Sequence, residues 1–179
     1  MTIGSLAPGV GGLVANILGP VRIGNPNGHT AVVVDDSGDT AARTITLVNQ
    51  TDTSTNTIDL GNDPTTTFPI RMRGPQVSSV TIDGGSGGNI FQVLGSFAGQ
   101  PLTVNAGSDN DLVRLGNGSY VLGYFQAPVT VHGSRNTTGL TISNVAFGGH
   151  ASTFTLTSNS VTRDGVAPIQ RSTCAWEQT

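Results

Sequence analysis

Cleaving a polysaccharide takes two carboxyl groups held about 5–9.5 Å apart, one of them with a tuned pKa. The chain supplies few acids for such a pair: 11 of its 179 residues are Asp or Glu, and Glu177 is the only Glu. Asp59 sits between Ile58 and Leu60, and Asp35 and Asp36 follow the apolar run Val32 to Val34. Neighbouring residues of a strand point to opposite faces, so Asp35 and Asp36 are expected to diverge. His29, His132 and His150 have no Ser or Asp partner at a defensible spacing and read as turn or surface residues. Cys174 is the single cysteine, so an intrachain disulfide and a cysteine-rich zinc site are both excluded. The residues that could do chemistry therefore point to a protein that is not an enzyme, with catalytic residues none.

The elements that carry these residues are legible in the apolar pattern. Apolar residues recur as i, i+2 pairs with a polar or small residue between them, the mark of a strand with one buried face. The pairs are Val21/Ile23, Val32/Val34, Ile45/Leu47, Ile58/Leu60, Ile70/Met72, Val80/Ile82, Phe91/Val93, Leu102/Val104, Val113/Leu115, Val129/Val131, Leu140/Ile142 and Phe154/Leu156. From Val80 to Val113 they step by 11 residues, with the turn formers DGGSGGN, SFAGQP and NAGSDND in the gaps. Composition agrees: 25 Gly and only 11% charged residues disfavour helix interiors, while 36% hydrophobic residues allow a thin core. The expected fold is all-β, a parallel β-helix (β-solenoid) with short strands and Gly/Asn-rich corners. Its alternative is an antiparallel β-sandwich, which also gives short strands at this spacing.

A longer repeat overlies the short one. NILGPVRIG, from Asn16, reads like GYFQAPVTVHG, from Gly123, with Pro20 and Pro128 offset by 108; Val32/Val34 matches Leu140/Ile142 at the same offset. TITL at Thr44 matches TFTL at Thr153, and FPIR at Phe68 matches APIQ at Ala167. The organisation is one domain over 1–170, with an internal repeat of about 20–127 and a partial second copy of 128–170, then a tail over 171–179. It is expected to be a segment of a longer array. Nine pairs fill one repeat, which predicts three strands per coil, unless Ile58/Leu60 is no strand and the coils are two-stranded with 22 residues. Leu6, Val10, Leu13, Val14, Ile17 and Leu18 have helical spacing suited to a cap, but the counterpart SYVLGYFQAP favours an apolar loop over the column.

Three turns carry a resemblance. GGSGGNIFQ, Gly84 to Gln92, resembles the calcium-binding nonapeptide GGxGxDxUx of RTX proteins, with Asn89 in the Asp place. AGSDNDLVR, Ala106 to Arg114, keeps Asp111 and has Asp109 where the motif has Gly; GSRNTTGLT, from Gly133, has Thr138 in the Asp place. The wider cadence is similar to the long-unit repeats of very large bacterial surface proteins. The resemblance implies calcium on neighbouring turns and makes Asp109 and Asp111 the candidate metal ligands. No two intact motifs are adjacent, so the chain is expected to fold with no cofactor, calcium being the one candidate.

Surface chemistry completes the reading. All eight cations are Arg and stand singly, which argues against nucleic acid as a partner, and no apolar run approaches the roughly 20 residues of a membrane span. Thr46, Thr81, Thr103, Thr130, Thr141 and Thr155 are expected to face outward, as on an ice-binding solenoid, but Arg22, Val33, Asp59, Arg71, Gln92 and Arg114 occupy equivalent positions and interrupt such an array. The expectation is a structural, adhesin-like repeat domain, extracellular or on the cell surface. Its expected partners are other copies of itself, neighbouring repeats or surface glycans. Polysaccharide-binding or polysaccharide-degrading β-helix and ice-binding solenoid are the alternatives.

Overall fold

The computed structural model describes residues 1–4, 11–17, 19–50, 55–60, 70–116, 122–134, 138–143, 154–157, 159–163, 166–172 and 175–176. Within them the strands are β1 (Thr2–Ile3), β2 (Val21–Ile23), β3 (Thr30–Asp35), β4 (Thr44–Gln50), β5 (Thr55–Leu60), β6 (Ile70–Arg73), β7 (Val77–Asp83) and β8 (Ile90–Val93). They continue as β9 (Leu102–Asn105), β10 (Leu112–Leu115), β11 (Val129–His132), β12 (Gly139–Ile142), β13 (Phe154–Leu156), β14 (Ser160–Arg163), β15 (Ile169–Ser172) and β16 (Ala175–Trp176). Every apolar pair named above falls in one of these strands. The chain is all-β, and short 3-10 turns are its only helical elements among the described residues.

Two sheets result. The first runs β1-β3-β7-β9-β11-β15-β14-β13 and the second β16-β12-β10-β8-β4-β5-β6-β2. Their pairing is mainly parallel. In the first sheet Val80 stands opposite Leu102, and in the second Phe91 stands opposite Val113, each a step of 22 residues. The turns over 84–89 and 106–111 each lead from one sheet to the other and close no hairpin, so the pairing expected of an antiparallel sandwich is absent there. Antiparallel pairing is confined, among the described residues, to β4-β5-β6 and β13-β14-β15.

Three strands per coil is corrected to two sheets, and the odd count has a different cause from the one expected. Ile58/Leu60 does lie in a strand, β5, and the nine pairs are nine strands. Nine steps lead from β2 to β11; the two within β4-β5-β6 stay in the second sheet and the other seven cross, an odd number. Strands aligned at the 108-residue offset therefore lie in opposite sheets: β2 in the second and β11 in the first, β3 in the first and β12 in the second. The turns agree, since Val14–Asn16 and Leu122–Tyr124 are both 3-10 turns at that offset. Val14 and Leu122 are buried against the core, as an apolar loop requires; Leu6, Val10 and Leu18 lie outside the described residues. Strand pairing also continues past Gln170, because β16 joins β12.

The inward members of the pairs form one core. Val34, Met72, Val104, Val113, Leu115, Val129, Val131 and Leu140 are fully buried, and Phe91, at 1% exposure, is the largest inward side chain of the pairs whose burial is described. Burial of Ile58/Leu60 and Phe154/Leu156 lies outside the described residues.

Parallel strands stack at about 4.8 Å, and the turns that join them must stack at the same spacing. Hydrogen bonds tie each turn to the next: Asp36 N–H donates to the Asp83 carbonyl, Gly84 N–H to Asn105, and Ala106 N–H to His132, each at 2.8 Å. This closeness fixes glycine. A Cβ on Gly85 would overlap the Asp39 carbonyl, and one on Gly107 would overlap the Gly85 carbonyl. Gly107 also has φ of 106°, which L side chains rarely adopt. Gly107→Ala is therefore expected to lose about 2–4 kcal/mol of unfolding free energy in denaturant titration. Gly19→Ala, where a Cβ meets nothing within 4 Å, should change it by less than about 0.5 kcal/mol.

Candidate functional site

Parallel stacking converts sequence positions into rows. The residue between the two apolar members of a pair faces outward, and in-register pairing places it beside its counterpart on the next strand. The outer row of the first sheet reads Val33, Thr81, Thr103, Thr130 and Gln170. In the second sheet Thr46, Gln92, Arg114 and Thr141 form one row, and Arg22 stands opposite Arg71. The residues expected to interrupt a threonine array are thus sorted by sheet: Val33 alone lies in the first. Three threonines are contiguous there. Arg22, Arg71, Arg73 and Arg114 are all exposed and all belong to the second sheet. Asp59 on β5, paired by backbone with Thr46, is the one acid among the described strands of that sheet.

The other acids gather where the chain leaves the first sheet for the second. Asp35 and Asp36 do not diverge as expected, because the chain turns at Asp36 and both carboxyl groups are buried against the 11–14 segment. Asp35 Oδ2 accepts Gly12 N–H at 3.0 Å, and its Oδ1 accepts the Ser37 hydroxyl at 2.6 Å. Asp36 Oδ1 accepts Val14 N–H at 2.9 Å. Asp39 accepts Ala41 N–H at 2.8 Å and pairs with Arg43 at 2.6 Å. These carboxylates hold turns together.

Their protonation follows from the same contacts. Burial would raise Asp35, but hydrogen bonds from the Ser37 hydroxyl, the Ser37 amide and Gly12 hold it below the usual carboxylate range. Asp39 is likewise lowered, burial being outweighed by the Ala41 amide and by Arg43. Asp36 has a single amide partner, so burial dominates, the charges of Asp39 and Asp35 add to it, and its pKa rises to about 6.

The motif positions also turn inward. Asn89, Asp111 and Thr138 are buried at 1%, 2% and 0% exposure, whereas Asp109 is exposed. Asp111 Oδ1 accepts Asn89 N–H at 2.7 Å and the Asn89 amide at 3.2 Å, and Asn89 Oδ1 accepts Arg43 N–H at 3.1 Å. Asp111 Oδ2 is buried without a hydrogen-bond partner, and burial, helped by the charge of Asp109, raises its pKa against the Asn89 hydrogen bonds. Calcium takes six to eight oxygens. Among the described residues no three His, Cys, Asp or Glu side chains stand where they could share an ion, and one oxygen of Asp111 is already engaged by Asn89. Among the described residues, acidic and imidazole side chains alone therefore do not assemble the calcium set that the motif implies.

The remaining candidates stay apart. His29 and His132 are exposed, and His132 Nδ1 lies 2.6 Å from the Ser172 hydroxyl; His150 and Cys174 lie outside the described residues. No helix among the described residues is long and apolar enough to cross a membrane. Compared with known proteins, the chain matches no family model, no curated protein and no solved structure. What sequence reasoning missed is the gathering of Arg22, Arg71, Arg73 and Arg114 on one sheet. The signal was present in the central residues of the pairs, but using it required knowing which strands share a sheet.

Two measurements check this site. With its folded pKa above the unfolded value of 3.8, Asp36 contributes stability that is full below about pH 4 and is lost as pH rises through about 6. Asp36→Asn keeps an acceptor for Val14 N–H, so it should raise the melting temperature by several degrees at pH 7, about 2–3 kcal/mol, and leave it nearly unchanged at pH 3.5. For metal, the melting midpoint in excess chelator should match that in millimolar calcium. A large calcium-dependent rise that Asp109→Asn and Asp111→Asn abolish would establish a site there.

Proposed function

We propose that the chain is a β-solenoid segment that serves as structural, adhesin-like material on the outside of a bacterial cell, with neighbouring repeats stacked end to end and no catalytic activity of its own. The observation that supports this most is the common register of the two sheets, in which each return to the same sheet over β7 to β10 takes 22 residues. Such a coil gains about 4.8 Å of length per turn, each coil contacts only its neighbours, and the result is a stiff spacer with two broad faces. The matching 3-10 turns and strand pairings at the 108-residue offset support a tandem array with the same stacking repeated. The acids support a structural role in another way: Asp35 and Asp36 accept backbone amides of the adjoining 11–14 segment, and Asp39 accepts the Ala41 amide within its own turn.

The reading is tested on intact cells of the source. Antibody to the purified chain should label the cells without permeabilisation; labelling only after permeabilisation overturns the surface assignment. In parallel, the chain incubated with pectate, alginate and neutral glucans should release no reducing ends or unsaturated products. Turnover that Asp36→Asn or Asp59→Asn abolishes would replace the structural reading with an enzymatic one.

A further inference from the structure

We infer that the outer face of the second sheet is a binding surface for a linear, carboxylate-bearing polysaccharide, with Arg22, Arg71, Arg73 and Arg114 as its anion contacts. The inference rests on the extracellular reading above, since such polymers are met outside the cell.

Charge separation carries the argument. The chain has a net charge of -3, yet the strands of the second sheet hold four exposed Arg against the single acid Asp59. The remaining described acids lie at strand ends or in the turns that leave the first sheet, and Asp35, Asp36, Asp39 and Asp111 there are buried. The first sheet presents the neutral row of Thr81, Thr103 and Thr130 instead, and its two strand cations, Arg163 and Arg171, are half-buried at positions paired with Phe154 and Val131 rather than in that row. The face of the second sheet is thus the one broad surface among the described residues with an excess of cations.

Geometry then selects the ligand. Arg22 and Arg71 are directly paired across β2 and β6, about 4.8 Å apart at the backbone. Two like charges so placed repel each other unless an anion lies between them. Arg114 lies four strands from β6 in the sheet order, roughly 19 Å away, so a ligand reaching all of them runs across the strands. A guanidinium fork matches a carboxylate with two parallel hydrogen bonds, and all the cations here are Arg. Between the charged positions Thr46 and Gln92 offer hydroxyl and amide groups, and Ile90 and Leu112 are half-buried apolar surface. That mixture suits a polymer of sugar rings with a carboxylate at intervals. Nucleic acid is disfavoured, because the outward positions of this sheet carry no aromatic side chain on which a base could stack among the described residues.

The test is affinity electrophoresis and titration of the intact chain with polygalacturonate at low and physiological salt. Neutral dextran, dextran sulfate, duplex DNA and vesicles of anionic lipid are run beside it. Polygalacturonate should retard the chain, and neutral dextran should not. The triple variant Arg22→Gln, Arg71→Gln, Arg114→Gln should weaken binding about tenfold or more and flatten its salt dependence. Thr81→Ser and Thr103→Ser on the first sheet should leave it unchanged. Circular dichroism melts establish that each variant is folded, and single Arg71→Gln and Arg114→Gln variants give graded losses should the triple one unfold. Failure to bind polygalacturonate at low salt overturns the inference. So does retention of full affinity by the triple variant, or equal or tighter binding to dextran sulfate, DNA or vesicles. Surface labelling of cells is read separately, so loss of glycan binding with labelling intact refutes this inference alone.

Discussion

The spacing of parallel strands governs this protein. Strands that stack at about 4.8 Å require turns no thicker than a strand, and a turn that thin leaves no room for many side chains. Glycine follows where a Cβ would meet the carbonyl of the turn below, as at Gly85 and Gly107. Each turn also carries amides that must find acceptors, and the neighbouring turn supplies them. Buried polar side chains complete the set: Asn89 donates to the Gly85 carbonyl and to Asp111 while its own oxygen receives Arg43 N–H. The apolar column inside and the rows outside are both consequences of turns that can stack.

The same constraint explains the use made of the acids. A carboxylate buried in a turn is costly unless several donors surround it. Asp35 and Asp39 have them and are held below the usual carboxylate range; Asp36 has one amide and nearby negative charges, and its pKa rises to about 6. The corner therefore gains stability from two of its carboxyl groups above about pH 4 and loses some from the third as pH rises.

Exchange of sheets between aligned segments shapes the surface. Arg22 and Thr130 occupy equivalent places at the 108-residue offset, yet one lies on the second sheet and the other on the first. Aligned strands must therefore suit either sheet, which is possible because both sheets present the same inward pair to one column. What differs between the faces is carried by single outward residues, free to vary because packing does not restrain them.

The strands and the core were legible in the sequence, because period-2 alternation is a local property: each i, i+2 pair reports its own inward face wherever the strand goes. The positions of Asn89, Asp111 and Thr138 at turns, and the correspondence of Val14 with Leu122, were legible for the same reason. Sheet membership was not, since it depends on whether the chain crosses or doubles back after each strand. The meander β4-β5-β6 keeps β5 in the second sheet, where strict alternation would put it in the first, and the strands from β6 to β13 then alternate between the sheets. Long-range pairing alone replaced three expected strands per coil with two sheets and collected four separately spaced arginines on one face, and the turn at Asp36 brought Asp35 and Asp36 together against one segment.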